Sequence, residues 1–249
     1  MLPEARSQDL LYVSQDVSSL DDVAVFDYPN GKPVGMLTGF EAPANLCADR
    51  NGNVWIPNSG GTTIVEYAHG GSQPIATLQV PGGASPLACS VDPTSGDLAA
   101  IVSGGSNSSP HVYFIYKHAS GSPETHHVDF PAYGCSYDSS GNLFVDGNRE
   151  PNKRSQIGFK LGELPRGKTR FRTFSVGRGY DFWGQVQWDG KYVDVSAYEY
   201  ILRFAIHGRK AVPAGGVILH GLKYINGFWI QGSKVIATNR FGMSQYPLV

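Results

Sequence analysis

Three features of the sequence predict an all-β propeller of six four-stranded blades, incomplete at both chain ends. A hairpin whose first strand ends on Asp recurs at Asp49, Asp92, Asp138 and Asp189, and degenerately at Gln231, every 42 to 51 residues. A second motif follows each hairpin at constant phase, with Tyr28, Tyr67, Tyr116, Leu164, Ile206 and Tyr246 in its equivalent place. Gly supplies 31 residues and Pro 16, while only 16% are charged, a balance that favours many turns over long helices.

Each unit is justified strand by strand. The first strand is a short apolar run ending at Asp, as in "LCAD" and "CSYD". The turn that follows is polar: Asp bonds the turn backbone through its side chain, and Gly52 or Gly141 takes the positive φ that a β-branched residue resists. A second strand rich in Val, Ile, Leu and aromatics completes the hairpin. The Tyr-bearing motif is the third strand, and stretches such as "PVGMLTGF" and "PIATLQV" are the fourth. The N-terminal unit starts near "DLLYVS" without a first strand, and the C-terminal unit stops at Val249 without a fourth.

A ring accounts for the incomplete ends, with residues before Leu10 expected to add an outer strand to the last blade and hide its edge. A linear solenoid would need polar caps, and a sandwich would not repeat one Asp-turn-Gly signature. No window of eleven or more residues sustains helical periodicity without Gly or Pro, so helices are not expected. The 249 residues are read as a single propeller domain, 1–249.

Composition also narrows the partners. A formal net charge of -1 offers no basic field for nucleic acid, and the longest apolar runs, "LAAIV" and "VYFIY", fall well short of a membrane span. The first residues carry no apolar leader core, and a secreted or periplasmic location after signal removal is preferred to the cytoplasm. Cys47, Cys89 and Cys135 all fall on first strands and are expected to be free, buried packing residues.

The segments "PANLCADRNGNVWIPN" and "YGCSYDSSGNLFVDG" resemble the NHL-repeat consensus through Pro43, Asp49, Gly52 and Asn53, then Gly134, Asp138, Gly141 and Asn142. More widely the chain resembles bacterial six-bladed propellers of the NHL, virginiamycin B lyase and SMP-30/gluconolactonase type. That resemblance implies a scaffold shared by hydrolases, lyases and binding modules. In SMP-30-like enzymes a divalent cation is held near the axis by Glu, Asn and Asp. Glu41-Ala42-Pro43 resembles the E-x-P element carrying that Glu, whereas "PAYGCSYD" and "WGQVQWDG" lack the matching Asn and Asp. Glu41 is thus the one metal-ligand candidate, for Ca²⁺ or Zn²⁺, with no other cofactor implied.

Other strings carry less chemistry. "GELPRGKT" fits a phosphate-loop pattern, yet it falls on the same hairpin turn as "YPNGKP" with the strand "RFRTFSV" after it, so no helix N-terminus is available for a phosphate. His126 and His127 are neighbours on a strand and point to opposite faces, and His69, His118 and His207 fall in outer turns. No G-x-S-x-G elbow occurs.

Function is therefore expected on the ring formed by second-to-third and fourth-to-first strand connections. Its early candidates are Glu41, Asn45 and Tyr133, followed by Asp146, Asn148, Arg149 and Glu150. Arg178, Asp181 and Trp183 come next, then Tyr198 and Glu199, with Lys223, Asn226 and Arg240 last. Aromatics beside charges suit a carbohydrate, another polar small molecule, or a peptide or protein. The leading expectation is an NHL-like module that binds a ligand or protein on this ring. The alternative is a metal-assisted lactonase, hydrolase or lyase using Glu41 and other axial carboxylates, and a structural or cell-surface repeat module is a third.

Overall fold

A computed structural model of the chain describes residues 1–17, 20–104, 112–148, 159–176, 184–222, 225–239 and 242–247. Its strands form six antiparallel meanders in chain order. The first sheet contains β1 (Leu10–Val17), β2 (Leu20–Asp27) and β3 (Pro33–Leu37), and the second β4 (Cys47–Ala48), β5 (Val54–Asn58), β6 (Thr63–Tyr67) and β7 (Pro74–Gln79). β8 (Ser85–Val91), β9 (Leu98–Ser103), β10 (Val112–Tyr116) and β11 (Glu124–His127) make the third. The fourth holds β12 (Ala132–Tyr137), β13 (Leu143–Asn148), β14 (Phe159–Leu164) and β15 (Arg172–Ser175). The fifth holds β16 (Val186–Trp188), β17 (Val193–Ala197), β18 (Tyr200–His207) and β19 (Lys210–Ile218), and the last β20 (Ile225–Gln231), β21 (Lys234–Asn239) and β22 (Gly242–Pro247). Among the described residues, four sheets thus have four strands, and the sheet at each chain end has three.

The chain divides into two compact units, Met1–Thr125 and His126–Val249. In the first unit, alternation along β5 shows how the layers are built. Val54 and Ile56 pack with Val23, Val25 and Leu37 of the first sheet, whereas Trp55 between them packs with Ala100, Val102 and Phe114 of the third. A strand covered on both faces has no polar side to show, which is why β5, β9 and β10 read as nearly unbroken apolar runs. The second unit repeats the plan: Phe144, Leu161 and Phe174 meet Val193, Val195 and Phe204, and Ile201 meets Phe228, Ile230 and Val235.

The turn aspartates do what the motif requires. Asp49 Oδ1 accepts the N–H groups of Asn51 and Asn53 at 2.8 and 2.9 Å, and Asp138 Oδ1 accepts those of Ser140 and Asn142 at 2.9 and 2.8 Å. Gly52 and Gly141 sit at φ +81° and +82°, the left-handed position that closes each turn. The Asn after Gly then ties the first hairpin to the next turn: Asn53 Oδ1 accepts His69 N–H and Asn142 Oδ1 accepts Arg166 N–H. At Asp189, where the turn is shorter, Arg203 reaches both Asp189 Oδ2 at 2.8 Å and Asp194 Oδ1 at 2.9 Å. Asp138→Ala removes the side-chain acceptor of two backbone N–H groups and the 2.7 Å bond from Asn142 Nδ2. It is expected to cost about 2 kcal/mol, read as a Tm lowered by about 5 °C in thermal unfolding.

The inner strands are also joined laterally within each unit. In the first, Asn45 N–H donates to Leu87 O and Asn45 O accepts Cys89 N–H, at 3.1 and 3.3 Å. In the second, side chains do this work: Gln185 Oε1 accepts Phe228 N–H, and the Gln187 amide both accepts Ile230 N–H and donates to Ile230 O. Ser136 Oγ likewise accepts Trp188 N–H at 3.0 Å. A carboxamide offers a donor and an acceptor in one plane, so it can substitute for a neighbouring backbone.

Two expectations are corrected. Cys47 and Cys89 are not free thiols: they form a disulfide between β4 and β8, with Cα atoms 5.6 Å apart. Equal phase in adjacent units places them side by side, a relation invisible while each is read within its own strand. Cys135 takes no part in the disulfide and is buried. Nor do the residues before Leu10 form the outer strand expected of them. Pro3–Ser7 form a 3-10 turn, Leu2 N–H donates to Val34 O at 2.7 Å, and Ala5 is fully buried against Gly70, where a Cβ would lie 2.8 Å from its backbone. The "GELPRGKT" string spans the end of β14, a turn closed by Lys168 N–H to Pro165 O, and the approach to β15, as expected of a hairpin.

Candidate functional site

In the first unit the E-x-P element is held mainly through its backbone. Glu41 N–H donates to Asn58 Oδ1 at 2.6 Å and Glu41 O accepts Gly60 N–H at 2.7 Å. Ala42, at φ +51°, donates to Asp21 Oδ1 and accepts from both the N–H and the hydroxyl of Ser59. Glu41 itself is exposed. Among the described residues no group of three or more His, Cys, Asp or Glu is gathered as a metal centre, so Glu41 gains no partners of that kind there. Asn45 works through its backbone as the bridge to β8.

The second unit gathers more of the candidates. β12 is irregular between Ala132 and Gly134, so Tyr133 is an extra residue relative to β13. Gly134 lies against Asp146, whose Oδ1 accepts its N–H at 2.8 Å. A Cβ there would sit 2.7 Å from that oxygen and 3.0 Å from Val186 N, so only Gly permits this approach. Asp146 is completely buried, and its Oδ2 has no hydrogen-bond partner among the described residues. Burial pushes its carboxyl up to about 8, against the opposing effect of the Gly134 N–H, so at neutral pH it is mainly a protonated acid. Burial also raises the Cys135 thiol and the Tyr133 phenol. Asp146 when charged adds to both shifts, whereas a hydrogen bond with Asn148 opposes the rise at Tyr133.

The strand register shows what Asp146 replaces. It occupies the β13 position opposite Gly134; the same place is Ser196 opposite Gln185 and Thr238 opposite Gly227 in the next two sheets, but Ile101 opposite Ala88 in the third. Ser196 Oγ accepts Gln185 N–H at 2.9 Å and Thr238 Oγ1 donates to Gly227 O at 3.3 Å. In the second unit, therefore, this position pins the inner strand through a polar side chain.

Tyr198 and Glu199 form the two-residue connection between β17 and β18. Tyr198 O accepts Ile225 N–H at 3.0 Å and Glu199 O accepts Leu219 N–H at 2.8 Å, which fastens this turn to the residue after β19 and to the first residue of β20. His220 follows Leu219, and Asn226 is the extra residue between Ile225 and Gly227 in the β20 register; both are exposed. The structure thus brings Tyr133, Asp146 and Asn148 together in one group, and bonds the Tyr198–Glu199 turn to Ile225, the neighbour of Asn226, in another. Arg149, Glu150, Arg178, Asp181, Trp183, Lys223 and Arg240 lie outside the described residues. His220, exposed after β19, was not among the candidates, although it falls in the same fourth-to-first connection as Lys223.

No protein-family model matches the sequence, and no curated protein matches it. Among solved structures the chain is similar to hydrazine synthase from Kuenenia stuttgartiensis, at 14% identity over 99% of this chain and 81% of that one, TM-score 0.72. It is also similar to the β-propeller domain of Cps50 (Swd1) from Myceliophteria thermophila, at 11% identity over 98% and 79%, TM-score 0.64. A catalytically inactive histidine-to-alanine form of virginiamycin B lyase from Staphylococcus aureus, with quinupristin, matches at 11% identity over 98% and 79%, TM-score 0.65. At such identities the likeness concerns fold alone, and with the meandering sheets it makes this chain an all-β propeller with four-stranded blades.

Proposed function

We propose that residues 1–249 form a single NHL-like propeller of six blades that binds a small polar molecule, glycan, peptide or protein on its ring of loops. The observation that carries this reading is the fastening of the Tyr198–Glu199 turn by two backbone hydrogen bonds, from Leu219 and from Ile225. These bonds join the turn carrying Tyr198 and Glu199 to Leu219 and Ile225, the chain neighbours of His220 and Asn226, and residues of these types suit recognition of a polar ligand. The Cys47–Cys89 disulfide supports a secreted or periplasmic setting, since such bonds persist in oxidising compartments.

The test is a titration of ¹⁵N-labelled protein with oligosaccharides, tripeptides, Ca²⁺ and Zn²⁺. Amide signals of 198–199, 219–222 and 225–226 are expected to move with at least one of the organic ligands. No movement with any of them counts against the reading.

A second reading, a metal-assisted lactonase, hydrolase or lyase of the SMP-30 or virginiamycin B lyase type, draws on the likeness to virginiamycin B lyase and on His220 beside the Glu199 turn. It is checked by incubating the protein with quinupristin and with simple lactones before and after chelation, using mass spectrometry. Turnover that is lost in His220→Ala would favour it, and dependence on added Ca²⁺ or Zn²⁺ would bring Glu41 back as a ligand.

A further inference from the structure

We propose that Asp189, Asp194 and Arg203 form an acid-closed clasp on the turn between β16 and β17, in which one proton shared by two carboxylates holds the turn shut and its loss lets Asp189 go. Asp189 anchors the turn: its Oδ1 accepts the N–H groups of Lys191 and Tyr192 at 2.8 and 2.7 Å. Its Oδ2 meets Arg203 Nη2 at 2.8 Å, and Arg203 Nε donates to Asp194 Oδ1 at 2.9 Å. The Asp194 side chain is 1% exposed and that of Asp189 9%, and the Tyr192 ring lies 5.2 Å from the guanidinium. Two carboxylates and one guanidinium thus share a place with little water, and one negative charge is left over.

That surplus is what a proton relieves. Asp194 Oδ2 is buried with no hydrogen-bond partner among the described residues, and the Asp189 carboxylate is its neighbour. Two carboxylate oxygens bond each other only through a proton. With the proton on Asp194, its hydroxyl donates to Asp189 and the buried oxygen is satisfied. Burial pushes the Asp194 carboxyl up to about 7; Arg203 opposes the rise and Asp189 adds to it. Val193 and Val195 pack toward the fourth sheet, so Asp194 between them faces the other way, where Gln187 bonds Ile230 of β20. β16 and β20 carry no titratable residue. Lys234 of β21 is exposed, as are His207, Arg209 and Lys210 around the β18–β19 turn and Lys191, which lies 4.9 Å from the Tyr192 ring.

The closed turn keeps its proton up to about pH 7. With the turn open, Asp194 has Arg203 to itself and ionises in the ordinary carboxylate range, near about 4. Closing therefore takes up a proton between those limits: the clasp is tight in acid, loosens as the pH rises, and changes no further above about 7. Trp188, just before the turn, stacks on Phe144 of the fourth sheet, so the loosened turn reaches the joint between two sheets.

Hydrogen exchange of the full chain, wild type and Asp194→Asn, from pH 5 to 8 tests the clasp. Exchange at Lys191 and Tyr192 is divided by exchange at Ser140 and Asn142, whose N–H groups Asp138 holds in the same way, so that the intrinsic pH dependence cancels. In wild type the ratio should rise at least about tenfold between pH 5 and 7 and then level off. Asp194→Asn puts an N–H where the acid proton stood, keeps an acceptor for Arg203 Nε, and should hold the ratio within about twofold throughout. A flat ratio in wild type, or an equal rise in the variant, overturns the proposal. The Asp194 carboxyl ¹³C signal of wild type gives a check that needs no variant: a midpoint near 7 supports the clasp, and one below about 5 overturns it.

Discussion

Asp146→Asn is expected to stabilise the protein progressively as the pH rises above about 4, and to leave it nearly unchanged below. In the unfolded chain this carboxyl ionises near its ordinary value, while in the folded chain burial holds the proton until about pH 8. Between those limits the folded state binds more protons than the unfolded state, so stability falls as pH rises, by about 1.4 kcal/mol per pH unit for this one group. Above about 8 both states are ionised and the loss levels off. Asn has nearly the same shape and keeps an oxygen to accept the Gly134 N–H now taken by Asp146 Oδ1, but has no proton to lose. Chemical denaturation of both proteins from pH 4 to 9 should give curves that coincide at the acid end and separate through the neutral range. Parallel curves would mean that Asp146 Oδ2 is solvated and the carboxyl titrates normally. The comparison isolates Asp146 because every other titrating group is shared by both proteins.

The same residue marks how far the sequence could be read. The Asp-turn-Gly period was legible because each turn is a local affair: Asp49 and Asp138 bond amides two and four residues ahead, and such geometry repeats wherever the residues do. Asp146 reads from the sequence as a ligand-binding candidate on the ring of loops, but its complete burial does not. That depends on Gly134, twelve residues away and without a Cβ, and on Val186 of another sheet. The contrast with Ile101 becomes visible only once strand register is fixed, because a one-residue slip would exchange the two faces of the strand. Tyr198, Glu199 and Asn226 could be assigned to connections from the repeat phase. The bonds that fasten those connections together run between backbone groups, which leave no trace in residue type. The N-terminal segment failed for a related reason: ring closure is a global argument, whereas Ala5 settles where Gly70 leaves room for it.

Removing the Cys47–Cys89 bond tests the lateral joining of inner strands most directly. The bond closes a loop of 42 residues in sequence and links β4 to β8, next to the two backbone hydrogen bonds made by Asn45. In the chain-entropy view, closing a loop of that length restricts the unfolded ensemble and stabilises the fold by about 4 kcal/mol. The double variant Cys47→Ala/Cys89→Ala is therefore expected to melt about 10 °C below wild type, as is wild type in reductant. Cys135→Ala separates this from the simple loss of buried sulfur: it removes a buried thiol at the equivalent place on β12 without opening any loop, and should cost about 1 kcal/mol. Burial raises the Cys135 thiol and leaves little thiolate, so alkylation of the folded protein should be slow at this residue, and mass analysis should find the other two cysteines linked. Reductant that leaves Tm unchanged would show the bond to be incidental. β4 has two residues and pairs with β5 only through Cys47 and Ala48, so much of its fixation comes from across the gap to β8, and the bond acts where the ladder is shortest.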